Sequence, residues 1–225
     1  MIISIHQPNF LPWIGYFYKI AKSDVFVILD SVQYPRGKSV ANRSQIKTSQ
    51  GILEIAVPIS KKSNIEGLVS YNEVNFGETN WQKKILRSIQ QAYAKSPFFN
   101  NYFKKLEEIL FIDSFSQMNI EFIKFIVQEL SINSQIAVLS KIENLSIDKN
   151  QRIIDLCKIF HSNCYLSGEG GKNYNDESLF KQNSIDLIYT DYKFIEYPQL
   201  HGAFIPKLSI IDLIFNCGPD SKKYF

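Results

Sequence analysis

The residues best equipped for chemistry cluster near the amino terminus. His6, Gln7 and Asn9 surround Pro8 directly after the apolar run Ile2–Ile5. A histidine in such a turn could hydrogen-bond a phosphate, stabilise developing negative charge or move a proton near neutral pH. The two amides could hold hydroxyls or a carbonyl; the ordinary alternative is a satisfied histidine and an Asn-capped turn. Asp30 follows a second apolar run, with Gln33 and Tyr34 close behind. Its carboxylate could serve as base, hydroxyl binder or metal ligand, or simply cap a turn. Asn42 and Arg43 sit in a polar loop, where the guanidinium is a natural fork for phosphate or carboxylate. Further on, Ser167, Gly168 and Gly171 belong to a glycine-rich stretch, YLSGEGGKNY, that would let backbone approach a ligand. That stretch matches neither a dinucleotide fingerprint nor a Walker loop. Gln199 and His201 lie in YPQLHG, where either role is open, and His161 reads as structural.

The elements around these residues decide whether they can meet. Ile2–Ile5 reads as a buried strand. Pro12 can open a helix, and Trp13, Phe17, Ile20 and Ala21 then share one face. Val25–Leu29 reads as a second strand buried on both faces, as in a parallel sheet. Residues 2–30 thus form a βαβ unit. Residues 35–45 read as a loop, 46–59 as a hairpin turning at Ser49-Gln50-Gly51, and 60–80 as a polar segment with one short strand near Val69. Helices follow: one carrying Trp81, Ile85, Ile89 and Ala92, one starting at Ser96-Pro97, and one capped by Asp113 or Ser114. The alternation then resumes with strands at 136–139, 164–166 and 185–189. Helices are expected around Ile153–Phe160 and Glu177–Lys181, and a last one over Leu208–Phe215. The expected fold is a single α/β domain over 1–225: a parallel, Rossmann-like, doubly wound sheet with a β-hairpin and a helical insertion or subdomain at 80–132. In such a sheet ligands bind beyond the carboxyl ends of the strands. The His6–Asn9, Asp30–Gln33 and Ser167–Gly171 groups and Asp191 should therefore gather at one edge.

Composition narrows the function. Apolar residues make up 45% and charged residues 21%, enough for a substantial core. A net charge of +3, with cations scattered among acids, argues against a nucleic-acid binder. Three cysteines without a C-x-x-C pair argue for a reducing compartment, no disulfide framework and no metal site. Nothing resembles a signal peptide or a membrane span, so a cytoplasmic location without membrane insertion is expected.

Several stretches together carry a resemblance. IHQPNFLPWIGY, DVFVILDSVQY, NRSQIK, YLSGEGGKNY, YPQ and LSIIDLIFNCG resemble the WbqC-like protein family across nearly the whole chain. The matching residues are His6, Gln7, Asn9, Asp30, Gln33, Arg43, Ser167, Gly168, Gly171, Gln199, Ser209, Asp212 and Asn216. One departure is Lys38-Ser39-Val40, where an aromatic residue is expected, so a stacking contact would be lost or supplied elsewhere. The resemblance implies a bacterial protein from gene clusters for O-antigen and other surface polysaccharides. A second likeness, of position, is to HIGH-type nucleotidyltransferases and pantothenate synthetase, whose histidine turn holds ATP phosphates at a helix N-terminus. Pro8 stands where those motifs carry glycine, removing a donor and a flexible joint.

The leading expectation is a transferase acting on a nucleotide-linked amino sugar, by acyl or aminoacyl transfer to the sugar amine. His6 would be the acid/base, Asp30 would orient or deprotonate the amine, and Arg43 would hold a phosphate. The acyl or aminoacyl donor is not identified, and ATP is one candidate. The rivals are an ATP-dependent amide ligase or nucleotidyltransferase-like enzyme, and a non-catalytic binding module in polysaccharide assembly. A homodimer is compatible with every reading.

Overall fold

The computed structural model describes residues 1–35, 37–60 and 69–225. Strand β1 (Ile2–His6) alternates its side chains between two layers. Ile3 and Ile5 pack with Val25, Val27, Ile154 and Leu156 on one face. Ser4 and His6 therefore point to the other, where Ser4 Oγ lies 2.8 Å from Ser23 Oγ. That second face is covered by helix α1 (Ile14–Ala21), which returns the chain to strand β2 (Val25–Ile28), parallel to β1. The expected βαβ unit is present, and its alternation aims His6 at α1.

Strands β3 (Arg43–Thr48) and β4 (Gly51–Ala56) form an antiparallel hairpin separate from the main sheet. Gly51 takes φ +102 at its turn, a conformation that favours glycine. Helices α2 (Trp81–Tyr93), α3 (Phe99–Leu110) and α4 (Phe115–Glu129) follow. Ser114 caps α4, accepting from Gln117 N. Helix α3 opens at Phe99 rather than at Ser96-Pro97, because Phe98 N is drawn to Phe215 O at 3.0 Å. No strand forms at Val69. Its carbonyl accepts from Tyr34 N, and an isolated bridge joins Gln33 to Ser70. The loop readings that fall on Arg36 and on 61–68 lie outside the described residues.

The remaining elements alternate: β5 (Gln135–Val138), α5 (Lys149–Ile159), β6 (Cys164–Ser167), α6 (Glu177–Gln182), β7 (Asp186–Tyr189) and α7 (Ile210–Cys217). The five-stranded sheet is parallel throughout, in the order β5-β2-β1-β6-β7. One layer packs α5 and α6 against it. The other gathers α1, α2, α3, α4, α7 and the hairpin into one large apolar core. This is a Rossmann-like, doubly wound α/β fold. The winding direction reverses between β1 and β6, which makes their carboxyl ends the crevice where such sheets hold ligands. No helix among the described residues is long and apolar enough to cross a membrane.

Candidate functional site

The turn between β1 and α1 is held from outside by hydrogen bonds. Leu11 takes φ +40, uncommon for a side chain of its size and costing roughly 1–3 kcal/mol. Its carbonyl accepts from Ser44 Oγ at 2.7 Å and Ser209 Oγ at 2.9 Å. Phe10 N donates to Ala41 O, and Pro12 O accepts from Ile210 N. Asn119 Nδ2 reaches Pro8 O at 3.3 Å. The turn from His6 to Trp13 is thus a strap, clamped by the hairpin, α4 and the start of α7. No side chain caps α1; the Tyr16 N–H is taken by Trp13 O at 3.0 Å, and Trp13 bridges to Ser209 at the start of α7.

Between this strap and the loop after β6 lies a cavity of about 260 Å³, here the inner lobe. His6, Tyr16 and Lys19 line one side, and Gly168, Glu169 and Gly170 line the other. His6 Nδ1 is 3.0 Å from Gln7 O. A carbonyl can only accept, so Nδ1 carries the hydrogen and Nε2 keeps its lone pair. Tyr16 OH donates to the same carbonyl at 3.1 Å, and its ring meets the imidazole edge-on at 4.9 Å. Burial, and secondarily the Lys19 charge, push His6 down to about 3 against the opposing Gln7 hydrogen bond. His6 is therefore a neutral acceptor at physiological pH and not an anion-binding cation.

Lys19 is the one charged residue of α1 and is only 4% exposed. Its Nζ donates to Ile5 O at 3.0 Å and lies 5.8 Å from the centre of the Phe26 ring. Burial lowers it to about 7.

A second cavity of about 490 Å³, the outer lobe, shares Trp13, Glu169 and Tyr192 with the first. Its wall is aromatic. Trp13 is 39% exposed, and its rings meet Tyr192 at 5.7 Å and Phe194 at 5.8 Å. The indole lies flat over Gly15, where a Cβ would collide with its six-membered ring. Asn9, Arg43, Glu54 and Lys207 are among the other residues that line this lobe. Arg43 Nη1 pairs with Glu54 Oε1 at 2.6 Å, while its Nε is buried with no partner among the described residues. Glu54 is also held by Lys38 at 3.2 Å, and the Arg43 contact is the main cause of its lowered pKa.

The sheet brings some of the sequence-selected residues together and keeps others apart. His6 and Gly168 line the inner lobe; Asn9 and Arg43 line the outer lobe. Gln7 contributes its carbonyl. Asp30 sits at the same sheet edge but faces β5: its oxygens accept from Ser140 N at 2.9 Å and Ser140 Oγ at 2.6 Å. Tyr34 packs its ring against Tyr71 and Phe115 in the core. Gln33 bridges to Ser70. Asn42 donates to Val57 O and borders a hollow behind the hairpin.

Ser167 Oγ accepts from Asn175 Nδ2 at 3.0 Å, and a Cβ at Gly171 would collide with both partners, so Gly171 permits close packing of its own loop. Gln199 and His201 belong to a distant network. Lys47 Nζ donates to Gln199 Oε1, Gly202 O and Ala203 O, and His201 Nε2 to Ala92 O at 2.8 Å. Asp212, fully buried, accepts from Tyr93 OH and Tyr197 OH.

Sequence reasoning passed over Lys19, Glu169, Tyr192, Phe194 and Lys207, and placed Trp13 on a buried helical face. Trp13 is instead the N-cap of α1, one residue before the helical geometry begins. Lys19 had a signal: a single cation in an otherwise uncharged helix. Of the stretch Lys38-Ser39-Val40, where an aromatic residue is expected, Val40 is 70% exposed and lines the outer lobe together with Trp13 and Phe194.

A larger hollow, of about 800 Å³, lies at residues 76–82 and Asp113. Its charged members, Glu78 and Asp113, are both acidic, so it is ill suited to an anion. Among the described residues no cluster of three or more His, Cys, Asp or Glu could hold a metal. All three cysteines are free. Burial pushes Cys157 up to about 12 and Cys217 up to about 11, unsuited to a thiolate nucleophile.

Residues 7–224 match the model of the WbqC-like protein family. The uncharacterized protein Rv1507c of Mycobacterium tuberculosis is 33% identical over 99% of this chain and 96% of its own length. No solved structure gives a significant match.

Proposed function

For a chain that belongs to the WbqC-like protein family, we propose an enzyme that acylates the amine of a nucleotide-linked sugar. The observation that carries this reading is the two-lobed cleft at the β1/β6 switch point, with an unprotonated His6 Nε2 in one lobe and an aromatic wall in the other. The nucleobase stacks on Trp13 or Phe194, since every base offers a π-face to an aromatic ring. Arg43 and Lys207 attract the diphosphate. Glu169, shared by both lobes, attracts the cationic amine. After the ammonium loses one proton, its nitrogen attacks the donor's carbonyl carbon, the bond from that carbon to the leaving group breaks, and His6 accepts the second proton and passes it to the leaving group as the amide forms. Polysaccharide context comes from the family resemblance alone.

Asp30 is given no chemical role here, because it is buried against Ser140 and lines neither lobe. The test incubates the purified chain with UDP- or dTDP-linked amino sugars and either acyl thioesters or ATP plus an amino acid. Mass spectrometry of the nucleotide sugar detects the amide. Product formed without ATP supports the transferase over the ligase. Nucleotide-sugar binding without any product supports the binding module instead.

A further inference from the structure

Making an amide from an ammonium removes two protons. One must leave R–NH3+ before the nitrogen can attack; the second leaves that nitrogen as the tetrahedral adduct collapses. A single weakly basic imidazole does not serve both steps, because general bases work best when matched to the acid they deprotonate.

The inner lobe holds a second acceptor. We propose that Lys19 is the general base that takes the first proton from the acceptor ammonium, with His6 Nε2 receiving the second; this rests on the amine-acylating reading above. Lys19 is 4% exposed yet borders the lobe, and its Nζ donates to Ile5 O. No carboxylate among the described residues forms an ion pair with it. Lys47 makes the contrast. It is as deeply buried, but its ammonium donates to three oxygens.

The titratable groups sharing the lobe with Lys19 are His6 on β1, Tyr16 on its own helix, Glu169 after β6 and Tyr192 after β7. Burial keeps Tyr16 a hydroxyl far above neutrality. The same desolvation brings Lys19 to about 7, so its free amine is well populated where an amino sugar is still largely protonated. The balance is R–NH3+ + R′CO–X + Lys–NH2 → R′CO–NHR + HX + Lys–NH3+. His6 passes its proton to the leaving group X, and Lys19 returns its own to solvent through the open lobe.

Two measurements on the full chain test this. Trace acetylation with acetic anhydride across pH 5–11, read by mass spectrometry for each lysine, reports basicity without any substrate. Lys19 is expected to titrate near neutrality, well below the surface lysines; titration alongside them, or no reaction at all, overturns the proposal. Lys19→Met and Lys19→Gln are then compared with wild type on a UDP- or dTDP-linked amino sugar. A loss of about 10²–10⁴-fold in kcat/KM is expected, together with loss of the acidic limb of its pH profile near 7. Unchanged profiles in folded variants overturn the role of Lys19 and leave the transferase standing. Wild-type protein that acylates no amine overturns the transferase reading, and this proposal with it, even where Lys19 labels at neutral pH.

Discussion

Replacing Lys19 with methionine should make the protein more stable below neutral pH and less stable well above it. The unfolded lysine titrates at 10.5 and the folded one at about 7. Because the folded value is the lower, the unfolded chain holds more protons between the two, and wild-type stability climbs with pH across that window. The slope is about 1.4 kcal/mol per pH unit. Below pH 7 the buried cation therefore costs the fold on the order of 5 kcal/mol relative to pH 10.5 and above. Methionine removes that cost but leaves Ile5 O without its donor, a loss of about 1–3 kcal/mol. The net expectation is about 2–4 kcal/mol in favour of the variant at pH 6, declining from pH 7 and reversing by about pH 10. Urea denaturation of both proteins at each pH from 6 to 10 measures the difference, in which every other titrating group largely cancels. A gap that stays constant over this range would refute the linkage, and with it the view that the Lys19 cation is buried without a counter-charge.

Other substitutions separate scaffold from site. Gly15→Ala pushes the Trp13 indole off its seat; fluorescence titration with UDP or dTDP should show about tenfold weaker binding with the thermal midpoint little changed. Asp30→Ala leaves the Ser140 N–H and hydroxyl unpaired. It should cost about 1–3 kcal/mol in urea denaturation, while nucleotide affinity stays within twofold. Gly171→Ala forces Ser167 and Asn175 apart, and increased amide exchange in the 168–175 loop should accompany a loss of about 1–3 kcal/mol.

The sheet was legible because parallel strands buried on both faces leave continuous apolar runs, as in Val25–Ile28, and because β1 breaks its run only at Ser4, which meets Ser23 across the layer. The rule that ligands gather at strand ends places His6, Gly168 and Asp30 at one sheet edge; His6 and Gly168 there line the inner lobe, while Asp30 faces Ser140. Strand order decides which ends face one another, and order is a property of long-range pairing that periodicity does not encode. Gln199, Asp212 and His201 look chemical by type, yet they clamp the 197–205 segment to the hairpin and helices. A buried polar network and an active site have the same composition; only burial and partners distinguish them. Tyr192 and Phe194 were invisible because they belong to an irregular segment after β7, which acquires meaning only where it folds back against Trp13.

The central claim is that the β1/β6 crevice, with its strap, aromatic wall and inner lobe, is where the substrate sits. A crystal structure of the protein with a UDP- or dTDP-linked amino sugar tests this most directly. The account predicts the base against Trp13 and Phe194, and the sugar amine within about 3.2 Å of His6 Nε2 or Lys19 Nζ. Density in the acidic hollow beside Glu78 and Asp113, or a diphosphate held away from the His6–Trp13 strap, would contradict it.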